Sequence, residues 1–344
     1  MDKEIITKVI NSLNQSIKEQ GAYAQFNDPS YEPVKISKDK FHNIKETSSN
    51  SKIAFIDGGN SELLKAPNFS LQLIRTYYTV YQNNKRISSK KKEFYILISA
   101  SNNENNITYK TEFFNSKKDK IEFDSFDETI RPGNHRISIS SIGNAIRRFA
   151  ELEVAKDITN ELSQNDIIVL DGDLNESITN EKHYFEELYQ KAIEKSITIC
   201  ALSKTSELFT EKGNALIPVL NNIAPIGEWY YFPLVKIKNQ AHKSDIYIIK
   251  LNKSSNYIFK LEVFNQIKYN IDNILKTLKN NSKDPVFLGY PYGLIEADKF
   301  ARISNRETEH IKTIFLAKLG KDNQKIAQYL NTLNTHTILD SISF

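Results

Sequence analysis

The chain has 344 residues, of which 40% are hydrophobic and 26% charged, a composition typical of a globular protein that buries a sizeable core. Its formal net charge of +4 is too small to indicate nucleic-acid binding, and the single cysteine, Cys200, excludes an internal disulfide and a zinc site built from cysteines. No apolar run approaches the roughly 20 residues that span a bilayer, and the first residues alternate charged with apolar positions, so we expect a cytoplasmic protein with no membrane segment.

Periodic patterns predict one helix and three strands in the first hundred residues. Residues 2–20 place apolar side chains at helical spacing, and a polar connector with Pro29 and Pro33 follows. Alternating apolar patterns then predict strands over residues 52–57, 71–82 and 93–100, separated by clusters of Gly, Asn, Ser and Lys. The basic run NNKRISSKKK, residues 83–92, lies between the last two strands, so we interpret it as a hairpin loop.

The rest of the chain alternates predicted helices and strands. After a polar loop, an apolar stripe that includes Ile142, Ile146 and Phe149 predicts a long helix over residues 138–162. The later predicted elements are a strand over 166–170, a helix over 181–195, a strand over 196–202, three strand-like runs (EWYYFPLVKI, SDIYIIKL and NYIFKLEV), and helices over 294–319 and 323–333.

This order of elements predicts an α/β fold in which helices flank a mixed sheet. No internal repeat and no sharp change in composition divides the chain, so we expect one domain over residues 1–344. Within it, residues 1–50 form an N-terminal helix and connector, residues 51–304 the core with insertions, and residues 305–344 C-terminal helices.

Two stretches share the pattern of an apolar strand followed by Asp-Gly: KIAFIDGGNS, with Asp57, and DIIVLDGDLN, with Asp171. Asp57 can belong to a turn between strands, to a phosphate-binding loop or to a metal site, but GGNSELLK has neither the GxxxxGK[ST] nor the GxGxxG spacing. Carboxylates at the ends of neighbouring strands lie at one edge of a sheet, which favours a metal site with Asp57 and Asp171. Asp173 is a rival for the role of Asp171 and ranks lower, because it lies two positions beyond the strand.

Two predicted helices supply further acidic candidates. Glu151 lies near the edge of the apolar stripe in RRFAELEVAKD and can face the sheet, whereas Glu153 falls on the more polar side. Asp298 follows the Tyr-Pro-Tyr-Gly turn in VFLGYPYGLIEADKFARIS, where the helix dipole also favours an acid. Carboxylates from two strands and two helices are suited to hold two Mg²⁺ or Mn²⁺ ions for phosphodiester hydrolysis.

These motifs resemble the NurA family, nucleases of RNase H-like fold that work with a HerA-type hexameric DNA translocase. AFIDGGNS, RRFAELEVA, IIVLDGDL, SKTS and GYPYGLIEADKFARIS are similar to successive motifs of the family, and the resemblance covers residues 52–304. It implies that Asp57, Glu151 and Asp171 bind Mn²⁺ or Mg²⁺ and that Tyr290 acts near the scissile phosphate. The family commonly has histidine where this chain has Asp298; an aspartate binds a hard cation at least as well, so we expect Asp298 to be the fourth ligand.

The resemblance also implies an activity and partners. We expect a metal-dependent deoxyribonuclease that digests DNA ends and single strands, chiefly as an exonuclease, with Lys204 and Arg148 as DNA contacts. The family pattern implies a homodimer that encloses DNA and docks on a HerA-like hexameric ATPase, in DNA end resection for repair or in antiphage defence. Two alternatives stay open: a non-catalytic subunit that binds DNA ends or assembles with the ATPase, and a nuclease that acts on RNA.

Overall fold

The computed structural model describes residues 3–16, 21–45, 50–103, 106–116, 119–319 and 324–331. The strands in this part of the chain are β1 (Tyr31–Pro33), β2 (Phe41–Asn43), β3 (Ile53–Ala66), β4 (Phe69–Gln82), β5 (Lys85–Asn103), β6 (Asn106–Phe114), β7 (Glu122–Asp124), β8 (Ile167–Asp171), β9 (Thr198–Ser203), β10 (Trp229–Tyr231), β11 (Val235–Ile237), β12 (Ser244–Lys250) and β13 (Phe259–Phe264). The helices are α1 (Lys3–Ser16), α2 (Ile142–Ile158), α3 (Glu181–Lys195), α4 (Leu216–Ile223), α5 (Ile271–Asn281), α6 (Tyr292–Ala301), α7 (Asn305–Leu319) and α8 (Gln324–Asn331).

The chain forms two compact units, one of residues 1–51, 169–175 and 198–292, the other of residues 52–168, 176–197 and 293–344. In the second unit, β3 to β7 follow one another as an antiparallel meander. The apolar stripe of α2, which includes Ile142, Ile146 and Phe149, packs in a buried cluster with Ile74 of β4 and Ile96 of β5. Burial of this stripe is what fixes the helix on the sheet.

In the first unit, neighbouring strands pair antiparallel in the order β2, β10, β12, β13, β9. The core of this unit contains Trp229 and Tyr231 of β10, Leu216 and Leu220 of α4, and Ile248 of β12. A separate two-stranded pair joins β1 to β11. Alternation along the short aromatic strand β10 thus places two large rings in the core.

Strand β8 makes the sheet mixed. It starts beside the start of β3, where Ile167 N–H donates to the Lys52 carbonyl oxygen at 2.9 Å. It ends beside the end of β9, where Gly172 N–H donates to the Leu202 carbonyl oxygen at 3.2 Å. Its residues 167–170 are fully buried, as expected for a short apolar run covered on both faces.

Two strands differ most from the sequence prediction. The strand predicted over residues 52–57 continues to Ala66, because Gly58 and Gly59 remain extended and pair with β4. The basic run over residues 83–92 is not a hairpin loop: the turn is Asn83-Asn84 alone, and β5 begins at Lys85. Both asparagines have positive φ, 49° and 60°, as a two-residue hairpin turn requires. The basic side chains therefore lie along a strand, where Lys91 pairs with Glu93 at 3.0 Å and Lys92 with Asp157 at 2.7 Å.

The predicted helices agree with the structure to different degrees. The helix over residues 181–195 is confirmed, and the one over 138–162 is confirmed over Ile142–Ile158. The single helix predicted over 294–319 is wrong, because residues 302–304 interrupt it between α6 and α7. Strand β6 lies where a polar loop is predicted, and periodicity does not predict α4 or α5. The predicted helix ends at residues 2, 17–20, 323, 332 and 333 lie outside the described residues.

Cys200 is fully buried in β9, and burial raises the pKa of its thiol far above the ordinary value. A thiol that stays protonated and out of reach of solvent is a poor nucleophile or metal ligand, so its role is packing. Among the described helices, none combines the length and the apolar character that crossing a membrane would need.

Candidate metal centre

Asp57 lies in the middle of β3 rather than at its end. Its backbone pairs with Tyr77 of β4, and Gly58 and Gly59 continue the antiparallel pairing. The residue is 6% exposed. Its Oδ1 accepts a hydrogen bond of 2.7 Å from Gly58 N–H. A carboxylate on a strand whose backbone is paired before and after that residue is held more rigidly than one on a loop.

Glu151 of α2 lies directly beside the backbone of Gly58. A Cβ atom on Gly58 would lie 2.6 Å from Glu151 Oε1, so the glycine leaves the room that this carboxylate occupies. Arg147 Nη1 donates to Glu151 Oε1 at 2.5 Å and to the Gly58 carbonyl oxygen at 3.2 Å. Glu151 is 4% exposed, whereas Glu153 is partly exposed. These contacts place the Glu151 carboxylate next to the residue that follows Asp57.

Asp298 lies on α6, and the packing of this helix on β3 sets its place. A Cβ atom on Gly293 would lie 1.9 Å from Cδ2 of Phe55, so the helix backbone approaches the buried ring as only glycine permits. Farther along the helix, Ala297 packs in a buried cluster with Tyr77. Asp298 itself is exposed. Small residues therefore bring the helix of Asp298 against the strand of Asp57.

Asp171 is the last residue of β8 and is partly buried. Its Oδ2 lies 2.7 Å from Lys204 Nζ. The next residue, Gly172, has φ +109°, a conformation that favours glycine. Ser203 Oγ donates to the Gly172 carbonyl oxygen at 2.6 Å. The residues at and just after the end of β9 thus hold the turn that begins at Asp171.

Within the second unit, a carboxylate oxygen of Asp57 and one of Asp298 lie within 4.8 Å of each other. Neighbouring ligand oxygens on one Mg²⁺ ion, at about 2.1 Å each, lie about 3 Å apart, so a bound cation would draw the two carboxylates toward each other. An all-oxygen donor set is also the one that Mg²⁺ and Mn²⁺ prefer. Asp57 is buried and Asp298 is exposed, so solvent reaches the pair at Asp298.

The remaining predicted site residues all have protein contacts. Tyr290 is fully buried, and its ring centroid is 5.0 Å from that of Phe287. Lys204 is the ion-pair partner of Asp171 described above. Arg148 Nε donates to Glu181 Oε1 at 2.9 Å, and this arginine side chain is 12% exposed. A role for Tyr290, Lys204 or Arg148 at DNA stays a prediction.

Glu296, two residues before Asp298, is a buried acid that sequence patterns do not single out. Its carboxylate accepts hydrogen bonds from Tyr77 Oη at 2.8 Å, from Arg86 Nη1 at 2.8 Å and from the hydroxyl of Tyr81. Burial by itself raises the pKa of Glu296, but these three donors outweigh it and hold the pKa below the ordinary value. Spacing alone could not reveal this role, because the three donors come from distant strands.

We expect Glu296→Gln to lower the free energy of unfolding at pH 7 by about 1–3 kcal/mol, the range for an imperfectly paired buried polar group. Because the folded-state pKa lies below the unfolded value of about 4.3, the carboxylate stabilises the fold above that pH and loses this effect as the pH falls through its folded pKa. The difference between variant and wild type should therefore shrink in acid. Urea unfolding at pH 7 and near pH 3.5 measures it, with Glu309→Gln, an exposed glutamate of α7, as the control.

We expect Glu151→Gln to lower metal affinity or cleavage rate by about 10- to 100-fold, the range for a group that supports a metal site. The amide keeps the shape of the side chain and removes its charge. Glu153→Gln is the matched control on the same helix and should leave both quantities unchanged. Equal losses in the two variants, or a loss in Glu153→Gln alone, would show that the wrong face of α2 was chosen.

The described strands and helices form the α/β fold predicted from the sequence, a mixed sheet flanked by helices. Residues 51–303 match the NurA domain, so the chain belongs to the NurA domain family. The predicted fold class and family are thereby confirmed. A comparison with curated proteins returned no match.

Three solved structures are similar to this chain to different degrees. The crystal structure of the NurA nuclease from Sulfolobus solfataricus is similar to this chain, with 17% sequence identity, a TM-score of 0.54, and coverage of 93% of this chain and 95% of that one. Human endonuclease V (catalytic domain) shares 10% identity at a TM-score of 0.39, covering 92% of this chain and 99% of that one. Endonuclease V of Ciona intestinalis, in complex with DNA, shares 11% identity at a TM-score of 0.37, covering 77% of this chain and 87% of that one. Only the first likeness is close enough to support the fold.

Proposed function

We propose that this protein is a divalent-metal-dependent DNA nuclease that hydrolyses phosphodiester bonds at DNA ends. The observation that carries the proposal is that carboxylate oxygens of Asp57 and Asp298 lie within 4.8 Å of each other, with Glu151 beside Gly58. Membership of the NurA domain family and the similarity to a protein described as a NurA nuclease support the same activity. The chemistry of hydrolysis at such a site requires neither cysteine nor histidine, which agrees with the buried thiol of Cys200.

Asp57, Asp171 and Asp298 would hold the cation, with Glu151 as a fourth ligand in a two-metal arrangement. Bound Mn²⁺ or Mg²⁺ would supply charge stabilisation at the phosphate and lower the pKa of a bound water. The protein's own residues prepare this site. Arg147 orients the Glu151 carboxylate, and the ammonium of Lys204, 2.7 Å from Asp171, offsets repulsion among the acidic groups.

Three positively charged or aromatic residues complete the proposed site. Lys204 is suited to contact a phosphate, since its ammonium already lies beside a proposed metal ligand. Arg148 is proposed as a DNA contact and also as a support for Glu151, whose Oε2 lies 3.8 Å from its Nη1. Tyr290 is proposed to act near the scissile phosphate, on the resemblance of GYPYGLIEADKFARIS to the family motif.

The partners follow from the family resemblance. We propose a homodimer that binds DNA ends and single strands and docks on a HerA-like hexameric ATPase. Exonuclease action, a cytoplasmic location, and a place in end resection for repair or in antiphage defence belong to the same proposal. We also propose that the elements over residues 1–344 act as one nuclease domain.

The test is cleavage of linear DNA by the purified chain in Mn²⁺, in Mg²⁺ and in EDTA. We expect degradation with either metal and none in EDTA, and a stronger effect on DNA than on RNA. Asp171→Asn should reduce cleavage strongly. Asp173→Asn, two residues away and not among the proposed ligands, should not.

Each other outcome has a definite meaning. Binding of DNA ends without cleavage in any divalent metal, with or without a HerA-like ATPase, would contradict the nuclease proposal and favour a non-catalytic end-binding subunit. Preferential cleavage of RNA would contradict the choice of substrate. Loss of activity in Asp173→Asn alone would shift the site by two residues along the same turn.

A further inference from the structure

We infer that Glu262 of β13 is a positioning residue for the turn that carries Asp171. The inference deepens the proposed function and rests on it, because Asp171 is one of the proposed metal ligands. Oε2 of Glu262 accepts a hydrogen bond of 2.8 Å from the backbone N–H of Leu174, three residues after Asp171. Glu262 therefore acts on the metal centre through the backbone of the turn.

Glu262 is a buried carboxylate with donors at both oxygens. It is 1% exposed. Oε1 accepts from Lys260 Nζ at 2.7 Å, and Oε2 lies 2.8 Å from His242 Nε2 as well as from the Leu174 nitrogen. Burial by itself raises the pKa of Glu262, but the hydrogen bond from His242 and the charge of Lys260 outweigh it and lower the pKa to about 2. The group is thus ionised at neutral pH, and its donors face a full negative charge.

A hydrogen-bonded chain connects Tyr31, His242 and Glu262. Burial, together with the charge of Glu262, raises the pKa of Tyr31 to about 12, so the hydroxyl keeps its proton at neutral pH. Its oxygen lies 2.8 Å from His242 Nδ1. Because the ionised Glu262 can only accept, His242 Nε2 carries a hydrogen and donates it to Oε2.

The turn after Asp171 is anchored on two strands. On β9, the Leu202 carbonyl oxygen accepts from Gly172 N–H at 3.2 Å, and Ser203 Oγ donates to the Gly172 carbonyl oxygen at 2.6 Å. On β13, Glu262 accepts from Leu174 N–H. The two sets of contacts lie on either side of Asp173, so the backbone is held before and after it.

A merely stabilising role does not account for this carboxylate. Replacing a buried ion pair by well-packed apolar residues is often neutral or stabilising, so a buried charge is a weak way to make a core stable. The neighbours of Glu262 along β13, Leu261 and Val263, are buried and apolar, as a core strand requires. A charged acceptor at this place gives the turn a fixed position, which a ligand set needs and an apolar core does not.

The test is Glu262→Gln, with Mn²⁺ affinity measured without DNA by electron paramagnetic resonance of free Mn²⁺. The amide keeps the size of the side chain, loses the charge and turns one acceptor into a donor. We expect about 10- to 100-fold weaker Mn²⁺ binding, the range for residues that support metal ligands. Hydrogen exchange, followed by mass spectrometry on peptides covering residues 171–175, should become faster at the Leu174 amide.

Two variants of the same network serve as controls. Lys260→Met leaves both contacts to Oε2 in place, and Tyr31→Phe removes only the far end of the chain. Both should keep Mn²⁺ affinity within about twofold of wild type, since neither contacts the turn. If Glu262→Gln does not fold, His242→Asn, which removes one donor to the same oxygen, should give a smaller loss in the same direction.

Unchanged Mn²⁺ affinity and unchanged exchange at residues 171–175 in a folded Glu262→Gln would overturn the inference. A fall in melting temperature with normal Mn²⁺ affinity would show a structural role only, and would also overturn it. If wild type neither binds Mn²⁺ nor cleaves DNA, the proposed function fails instead. Exchange at the turn then still decides whether Glu262 positions it.

Discussion

Asp57→Asn is expected to slow metal-dependent cleavage strongly while leaving the fold intact. A metal centre supplies several kcal/mol of charge stabilisation at the transition state, and each 1.36 kcal/mol is tenfold in rate, so loss of one central ligand should slow cleavage by about 100- to 1,000-fold. The asparagine side-chain oxygen can still accept the hydrogen bond that Gly58 N–H donates to Asp57. Cleavage of linear DNA in Mn²⁺, together with Mn²⁺ affinity, measures the effect.

The same substitution gives a second readout in the metal-free chain. A carboxylate oxygen of Asp57 lies within 4.8 Å of one of Asp298, and removing one of two like charges relieves their repulsion. The metal-free variant should therefore unfold at the same temperature as wild type or higher. Asp119→Asn, at an exposed aspartate, is the control for both readouts. Cleavage at the wild-type rate by Asp57→Asn would contradict the assignment of the metal site.

Gly293→Ala is expected to have the largest effect on stability. The added Cβ would lie 1.9 Å from Cδ2 of Phe55 and 2.3 Å from Cε2, and this ring is fully buried. Either the ring or α6 must move, and overpacking of this kind typically lowers the free energy of unfolding by about 1–3 kcal/mol, occasionally more. A shift of α6 also displaces Asp298, so Mn²⁺ affinity should fall with the melting temperature.

A second glycine provides the control for this prediction. Gly133 has φ +59° and nothing within 4 Å of an added Cβ, and asparagine tolerates that backbone conformation. Gly133→Asn should keep both the melting temperature and Mn²⁺ affinity. Wild-type stability in Gly293→Ala would mean that α6 is not held against β3 as closely as the structure has it.

Local patterns predict the helices of this chain better than its strand ends. The apolar stripe of α2 is long and regular, and the structure buries it against β4 and β5. The break between α6 and α7 contains no proline or glycine, and its signal is the capping pattern Ser304-x-x-Glu307, in which Glu307 N–H donates to Ser304 Oγ at 3.2 Å. The basic side chains after Asn84 favour a loop in the sequence, because charge usually marks solvent. The two asparagines are the better guide, since they suit a two-residue hairpin turn.

The acidic residues of the candidate site can be chosen from sequence, but their supports cannot. Asp57 and Asp171 follow apolar runs, and this local pattern is enough to single them out. Arg147, Glu262 and Glu296 look like ordinary surface charges in the sequence. The partners of Glu262 and Glu296 lie far away in the sequence. The partner of Arg147 is Glu151 on the same helix, and only packing shows that this carboxylate is buried. Burial of a charged residue depends on tertiary contacts, and one-dimensional periodicity does not contain them.

The basic strand β5 also bears on how DNA binding should respond to salt. Five cations lie between Lys85 and Lys92, but Arg86, Lys91 and Lys92 already have carboxylate partners at 2.7–3.0 Å. A DNA phosphate that binds a cation already paired with a carboxylate takes the place of that carboxylate. The freed carboxylate needs a new counterion, so no counterion is released overall. Each phosphate neutralised with counterion release contributes about −0.9 to the slope of log K against log salt concentration. The salt dependence of DNA binding should therefore reflect about two cations of this strand rather than five. The formal charge of residues 85–92 therefore overstates how strongly this segment makes DNA binding depend on salt.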